Sequence, residues 1–200
     1  MKNSLIIVGF FAAGILLSLF SVVPPYILKN DLSSYALYLL MFLVGVSIGA
    51  DKKAWEILKN ARLKIILVPL AVIVGTLAGA AVVSLFLKDI SLRESLAVGA
   101  GFGYYSLSSI FIGQISGKTL GVVALISNIS REVITLLGTP LLVRYFGKLA
   151  PIASGGATAM DTTLPIITKF TGKEYAIISV FSGVVLTILV PFLVTFILKF

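Results

Sequence analysis

Long apolar stretches alternate with short polar ones along the whole of this chain. Residues 4–23, 33–50, 65–87, 120–143 and 176–198 are each mostly apolar, and a helix needs roughly 20 such residues to cross a bilayer core. The pattern predicts five membrane-crossing helices at these positions. Two further apolar stretches, 96–114 and 151–168, are interrupted. The first contains Gly99, Gly101, Gly103, Tyr104, Tyr105, Ser106, Ser108 and Ser109; the second contains Gly155, Gly156, Asp161 and Pro165. Glycine and proline oppose a continuous helix. The expectation is an all-α integral membrane protein with about seven transmembrane segments, two of them broken or re-entrant. All 200 residues are expected to form a single transmembrane domain.

Composition supports this. Hydrophobic residues make up 58% of the chain and charged residues 12%, against about 45–50% and about 25% in soluble proteins. The net charge of +8 does not require nucleic acid as a partner, because Lys and Arg collect in the cytoplasmic loops of membrane proteins. Five basic residues (Lys52, Lys53, Lys59, Arg62 and Lys64) crowd into 51–64 beside Trp55, which places that loop in the cytoplasm. If all seven segments cross, Lys2, Lys118, Lys169 and Lys173 also lie inside. Lys29, Lys88, Arg93, Arg144, Lys148 and Lys199 then lie outside, with the C-terminus. Lys2 and the apolar residues after it have the look of a signal peptide, but no small-x-small cleavage site follows. Pro24-Pro25 reads instead as a loop after a full span. The chain has no cysteine and no histidine, which excludes His–Cys zinc sites, HExxH chemistry and Ser–His or Cys–His nucleophiles. No metal or cofactor is expected, and the chain does not read as an enzyme.

The chemistry sits where the apolar pattern fails. Asn128, Arg131 and Glu132 are spaced i, i+3, i+4 and so share one helical face in the middle of an apolar span. A charge at the bilayer centre costs about 2.5–3.5 kcal/mol on insertion scales, so two of them there must pair or line a water-filled path. Asp161 follows Gly155 and Gly156 and precedes Pro165, flanked by Thr158, Thr162 and Thr163. Discontinuous helices in transporters aim backbone groups and helix ends at a midplane site, and a carboxylate there can bind a cation or carry a proton. Gly101 and Gly103 let the backbone unwind. Tyr105 and Ser106 beside them are positioned to line a cavity, and an aromatic face suits an ammonium group. A nucleotide cradle is rejected for Gly99-x-Gly101-x-Gly103, because no strand or P-loop lysine accompanies it.

Three motifs occur in order: Gly101-Phe102-Gly103-Tyr104-Tyr105-Ser106-Leu107-Ser108, Asn128-x-x-Arg131-Glu132, and Gly155-Gly156-Ala157-Thr158-x-Met160-Asp161-x-Thr163-Leu164-Pro165. Together they resemble the bacterial lysine exporter family, LysO. Phe42-Leu43-Val44-Gly45-Val46 resembles the start of that family's C-terminal half. The resemblance implies a multi-pass protein of the bacterial or archaeal inner membrane that exports L-lysine and analogues such as thialysine. Its membrane-embedded acids would be Glu132 and Asp161. Full-length relatives carry an additional N-terminal hydrophobic half to which this chain has no counterpart. That implies a homodimer or a separately encoded N-terminal-half subunit as partner, beside lysine, protons and the lipid bilayer. Moving a lysine cation outward costs about 2.3 kcal/mol per 100 mV, and exchange for one proton cancels that cost. The expected mechanism is proton antiport through Glu132 or Asp161, with Arg131 holding the substrate carboxylate or neutralising Glu132. The alternatives are a sodium/proton-type ion exchanger of the same architecture, or a partner subunit inactive on its own.

Overall fold

The computed structural model describes residues 63–199 and a few isolated positions before them. The helices expected at 4–23 and 33–50, and most of the 51–64 loop, lie outside the described residues. From Leu63 onward the chain is helical: α1 (Leu63–Ser84), α2 (Leu92–Gly99), α3 (Tyr105–Ser116), α4 (Lys118–Phe146), α5 (Ala150–Gly155), a 3-10 turn (Gly156–Met160), α6 (Leu164–Thr171) and α7 (Lys173–Lys199). Among the described residues, three helices are long and apolar enough to cross a membrane: Ile65–Ser84, Lys118–Phe146 and Lys173–Lys199.

The interrupted stretches form pairs of short helices, and local chemistry sets their ends. Ser91 and Glu94 make a reciprocal capping box that starts α2. Phe102 and Gly103 adopt positive φ (46° and 92°), which ends α2 and turns the chain before α3. Gly156, at φ 60°, does the same after α5.

Each pair folds back on itself. α4 runs antiparallel to α1: Arg131 bonds Thr76 at 3.3 Å, and Ser127 and Val123 line a cavity with Ala80, Val83 and Leu87. The first turns of α4 therefore lie at the end where α1 finishes. Gly117 alone joins α3 to α4, so the α2–α3 hairpin begins and finishes at that end. The α5–α6 hairpin behaves likewise at the other end. There the Lys148 ammonium lies 5.3 Å from the centre of the Tyr175 ring, just inside α7. Ile152 of α5 and Ile167 of α6 share one buried cluster with Ala159, against Val68, Tyr175 and Ile178.

This changes the ends to which charges were expected to go. Lys118 falls at the same end as Lys88, and Lys148 at the same end as Lys169 and Lys173. Seven full crossings would put Lys118 opposite Lys88, and Lys148 opposite Lys169. The physical reason is that six to twelve residues per short helix, at about 1.5 Å each, reach only part of the way across a 30 Å core. The glycine-rich turns between them reverse the chain instead of continuing it.

α2 comes close to α1 at Ala80. A Cβ added at Gly99 would sit 2.9 Å from Ala80 Cβ, whereas one at Gly75 or Gly79 would meet no described residue. α7 packs along both hairpins. Its Ser179 hydroxyl donates to the Ala159 carbonyl at 2.7 Å, and Gly183 lets Met160 and Ala157 come close.

Candidate functional site

The tips of the two hairpins touch in the middle of the bundle. The Ala157 N–H donates to the Phe102 carbonyl at 2.8 Å. A Cβ on Gly156 would collide with that same carbonyl oxygen, so glycine is required there twice, for its φ and for the contact. Thr158 and Thr163 are buried inside the second tip. The Thr158 hydroxyl donates to the Gly155 carbonyl at 2.9 Å, and the Thr163 hydroxyl to the Thr158 carbonyl at 3.0 Å. Both hydroxyls brace the turn.

The polar face of α4 runs behind this contact. Asn128, 3% exposed, clasps the first hairpin. Its Oδ1 accepts the Gly103 N–H at 2.7 Å, while its Nδ2 donates to the Val98 carbonyl at 3.2 Å and to Ala124 at 2.9 Å. Arg131 clasps the second. Its Nε donates to the Ser154 carbonyl and its Nη2 to the Ala153 carbonyl, both at 2.8 Å. These carbonyls sit at the C-terminal end of α5, where helix acceptors lack partners of their own. A guanidinium meets that need with charge as well as donors.

Glu132 is buried at 1% exposure. Asp161, in the bend after the 3-10 turn, is exposed, and its carboxylate accepts the Thr162 N–H. The two acids lie within electrostatic reach of one another, and Tyr104 lies within reach of Asp161. Tyr105 is buried at the start of α3, and Ser106 beside it is half-buried. The arrangement offers a buried carboxylate, a second carboxylate open to a cation, and a rigid polar frame around both. Pro165 sits in the first turn of α6, where its missing N–H costs nothing.

Thr76, Thr135 and Ser154 belong to this frame and were not anticipated from the sequence. The Thr135 and Ser154 hydroxyls are 2.7 Å apart, and the Thr76 hydroxyl meets Arg131. Thr135 and Thr139, both fully buried, continue the 128–132 face at helical spacing, and that spacing was the available signal.

A sequence model of the lysine exporter LysO family matches residues 8–198. The chain is 34% identical over 170 residues to "Lysine exporter LysO" of Escherichia coli K12, covering 84% of this chain and 55% of that protein. It is 33% identical over 174 residues to "Putative lysine exporter" of Haemophilus influenzae, covering 86% of each. The chain thus spans about half the length of the first relative and most of the second. No solved structure matches it.

Proposed function

The chain belongs to the lysine exporter LysO family, and from that premise we propose that it exports L-lysine, and analogues such as thialysine, across a bacterial inner membrane. The observation that carries the reading is that buried Glu132 and exposed Asp161 lie within electrostatic reach of one another. Asp161 receives the ammonium group. Glu132 takes up a proton when the cation leaves and gives it back when the next one enters. One proton inward for one lysine outward moves no net charge, so the membrane potential does not oppose export. Thr158, Thr162, Thr163, Tyr105 and Ser106 shape the polar surface around the two acids.

In this reading α1, α4 and α7 cross the membrane, and the two hairpins re-enter from opposite faces. Arg144, Lys148, Lys169 and Lys173 gather at the end where α1 begins, just after Lys52, Lys53, Lys59, Arg62 and Lys64 in the sequence. The other end has Lys88, Arg93, Lys118 and Lys199. Counting those sequence neighbours, nine basic residues against four favour the first end as the cytoplasmic one. The α5–α6 hairpin then enters from the cytoplasm and the α2–α3 hairpin from outside.

The test is lysine counterflow in proteoliposomes under an imposed pH gradient. Wild-type protein moves lysine against the proton flux, while Glu132→Gln and Asp161→Asn proteins do not. Unchanged flux in both variants refutes exchange through these acids, and absence of lysine binding by the wild type refutes the substrate.

A further inference from the structure

A cavity of about 260 Å³ lies between α1, α2 and α4, and neither acid is among its lining residues. Its walls are Ala80, Val83, Leu87, Ile90, Val98 and Val123, and its polar groups are Thr76, Ser95, Ser127, Asn128 and Arg131. Thr76, Asn128 and Arg131 are tied to the hairpins, whereas Val83, Leu87 and Ile90 lie toward the end of the bundle where α1 finishes.

Arg131 has two sides. Nε and Nη2 are committed to the α5 carbonyls and Thr76, whereas Nη1 makes no hydrogen bond to any described residue. The pinned side holds the guanidinium in place as part of the cavity wall. With Nε and Nη2 spent, the N–H groups of Nη1 remain to meet a carboxylate oxygen through a charge-assisted hydrogen bond. Asn128 is equally fixed by its three hydrogen bonds, and its Oδ1 keeps one lone pair free of them. The volume falls just under the roughly 300–1,000 Å³ of pockets for drug-sized ligands, which suits a molecule the size of an amino acid. The apolar walls suit a chain of methylene groups.

We propose that this cavity is a carboxylate subsite for the exported amino acid, with Arg131 Nη1 gripping the carboxylate and the aliphatic chain lying along Val83, Leu87 and Val98. The inference rests on the exporter reading above and adds to it a place where an amino acid is told apart from a plain diamine. Val83, Leu87 and Ile90 of its wall lie toward the end of the bundle assigned to the outside, which makes it the last station before release.

The chain has no cysteine, so a single thiol reports on the cavity. Ser127 is exposed at its rim. The experiment measures the rate at which N-ethylmaleimide labels purified Ser127→Cys protein, with L-lysine or with pentane-1,5-diamine, the same chain without a carboxylate. Lysine binding is followed in parallel by calorimetry. Lysine is expected to slow labelling and the diamine to leave it unchanged. Equal protection by both overturns the subsite, as does lysine that binds by calorimetry without slowing labelling. Protection by added phosphatidylglycerol and not by lysine also overturns it, making the cavity a lipid site. If lysine does not bind at all, the exporter reading falls and the subsite with it. Because Arg131 also pins α5, the conservative Arg131→Lys variant gives the second readout. Its KM for lysine rises about tenfold, the loss of one hydrogen bond to a charged group, while the inhibition constant for the diamine stays put. A parallel rise in both constants overturns the assignment.

Discussion

Ala157 donates its backbone N–H to the Phe102 carbonyl at 2.8 Å, so the two hairpin tips are joined main chain to main chain. Each tip holds residues at positive φ, Phe102 and Gly103 in one and Gly156 in the other. Neither turn can shift without moving its partner.

Gly156→Ala is the sharpest test of that junction. The positive φ alone costs an alanine about 1–3 kcal/mol, and its Cβ would collide with Phe102. The variant is expected to lose thermal stability in detergent and to lose lysine flux. Gly138→Ala on α4 brings its new methyl against no described residue and is expected to leave both unchanged. A stable, active Gly156→Ala protein would mean that the tips do not meet this way.

The hairpin topology makes a separate prediction, about sidedness. With single cysteines in whole cells, an impermeant thiol reagent should label Lys118→Cys together with Lys88→Cys. Lys148→Cys should react only after permeabilisation, as Lys169→Cys does. Full crossings would reverse the results at 118 and 148, so two labelling experiments decide between the arrangements.

Asn128→Ala leaves the Gly103 N–H and the Val98 carbonyl without the partners they have in the wild type. Each such buried group costs about 1–3 kcal/mol, so the variant should unfold several degrees earlier on thermal melting. Asn128→Asp keeps the acceptor for Gly103 but sets a buried carboxylate oxygen against the Val98 and Ala124 carbonyls, and should melt no later than the alanine variant. A melting curve unchanged in Asn128→Ala would show that the clasp contributes nothing to the first hairpin.

Thr135 and Ser154 provide a coupling measurement. Removing either hydroxyl, by Thr135→Val or Ser154→Ala, should cost about 1 kcal/mol of stability. Because they bond each other at 2.7 Å, the double variant should be less destabilised than the sum of the two. Strict additivity would rule out a contact between them.

How much of this was legible in the sequence depended on the kind of signal. The long helices were clear, because a mostly apolar stretch of more than 20 residues is its own evidence: 120–143 became Lys118–Phe146 and 176–198 became Lys173–Lys199. The interruptions at Gly101–Gly103 and Gly155–Gly156 were visible too, since closely spaced glycines weaken a helix wherever they fall in it. Their direction was not. Whether a broken segment crosses or returns depends on which end of α7 meets Lys148, a tertiary contact that leaves no local pattern. The same limit applied to Arg131, whose sequence position announced a buried charge but not the α5 carbonyls that receive it. Asn128 lay on the anticipated face, yet its amide is spent on backbone, which residue type alone does not reveal.

Gly117 and Gly172 share nearly one backbone conformation, with φ of 97° and 100° and ψ of 156° and 161°. Each closes a unit of a long helix followed by a hairpin, over 63–117 and then over 118–172, stretches of equal length. The second unit is laid in the opposite sense to the first. The two units are therefore laid out as a pair of inverted repeats, the arrangement from which secondary transporters build access to a central site from either side of a membrane.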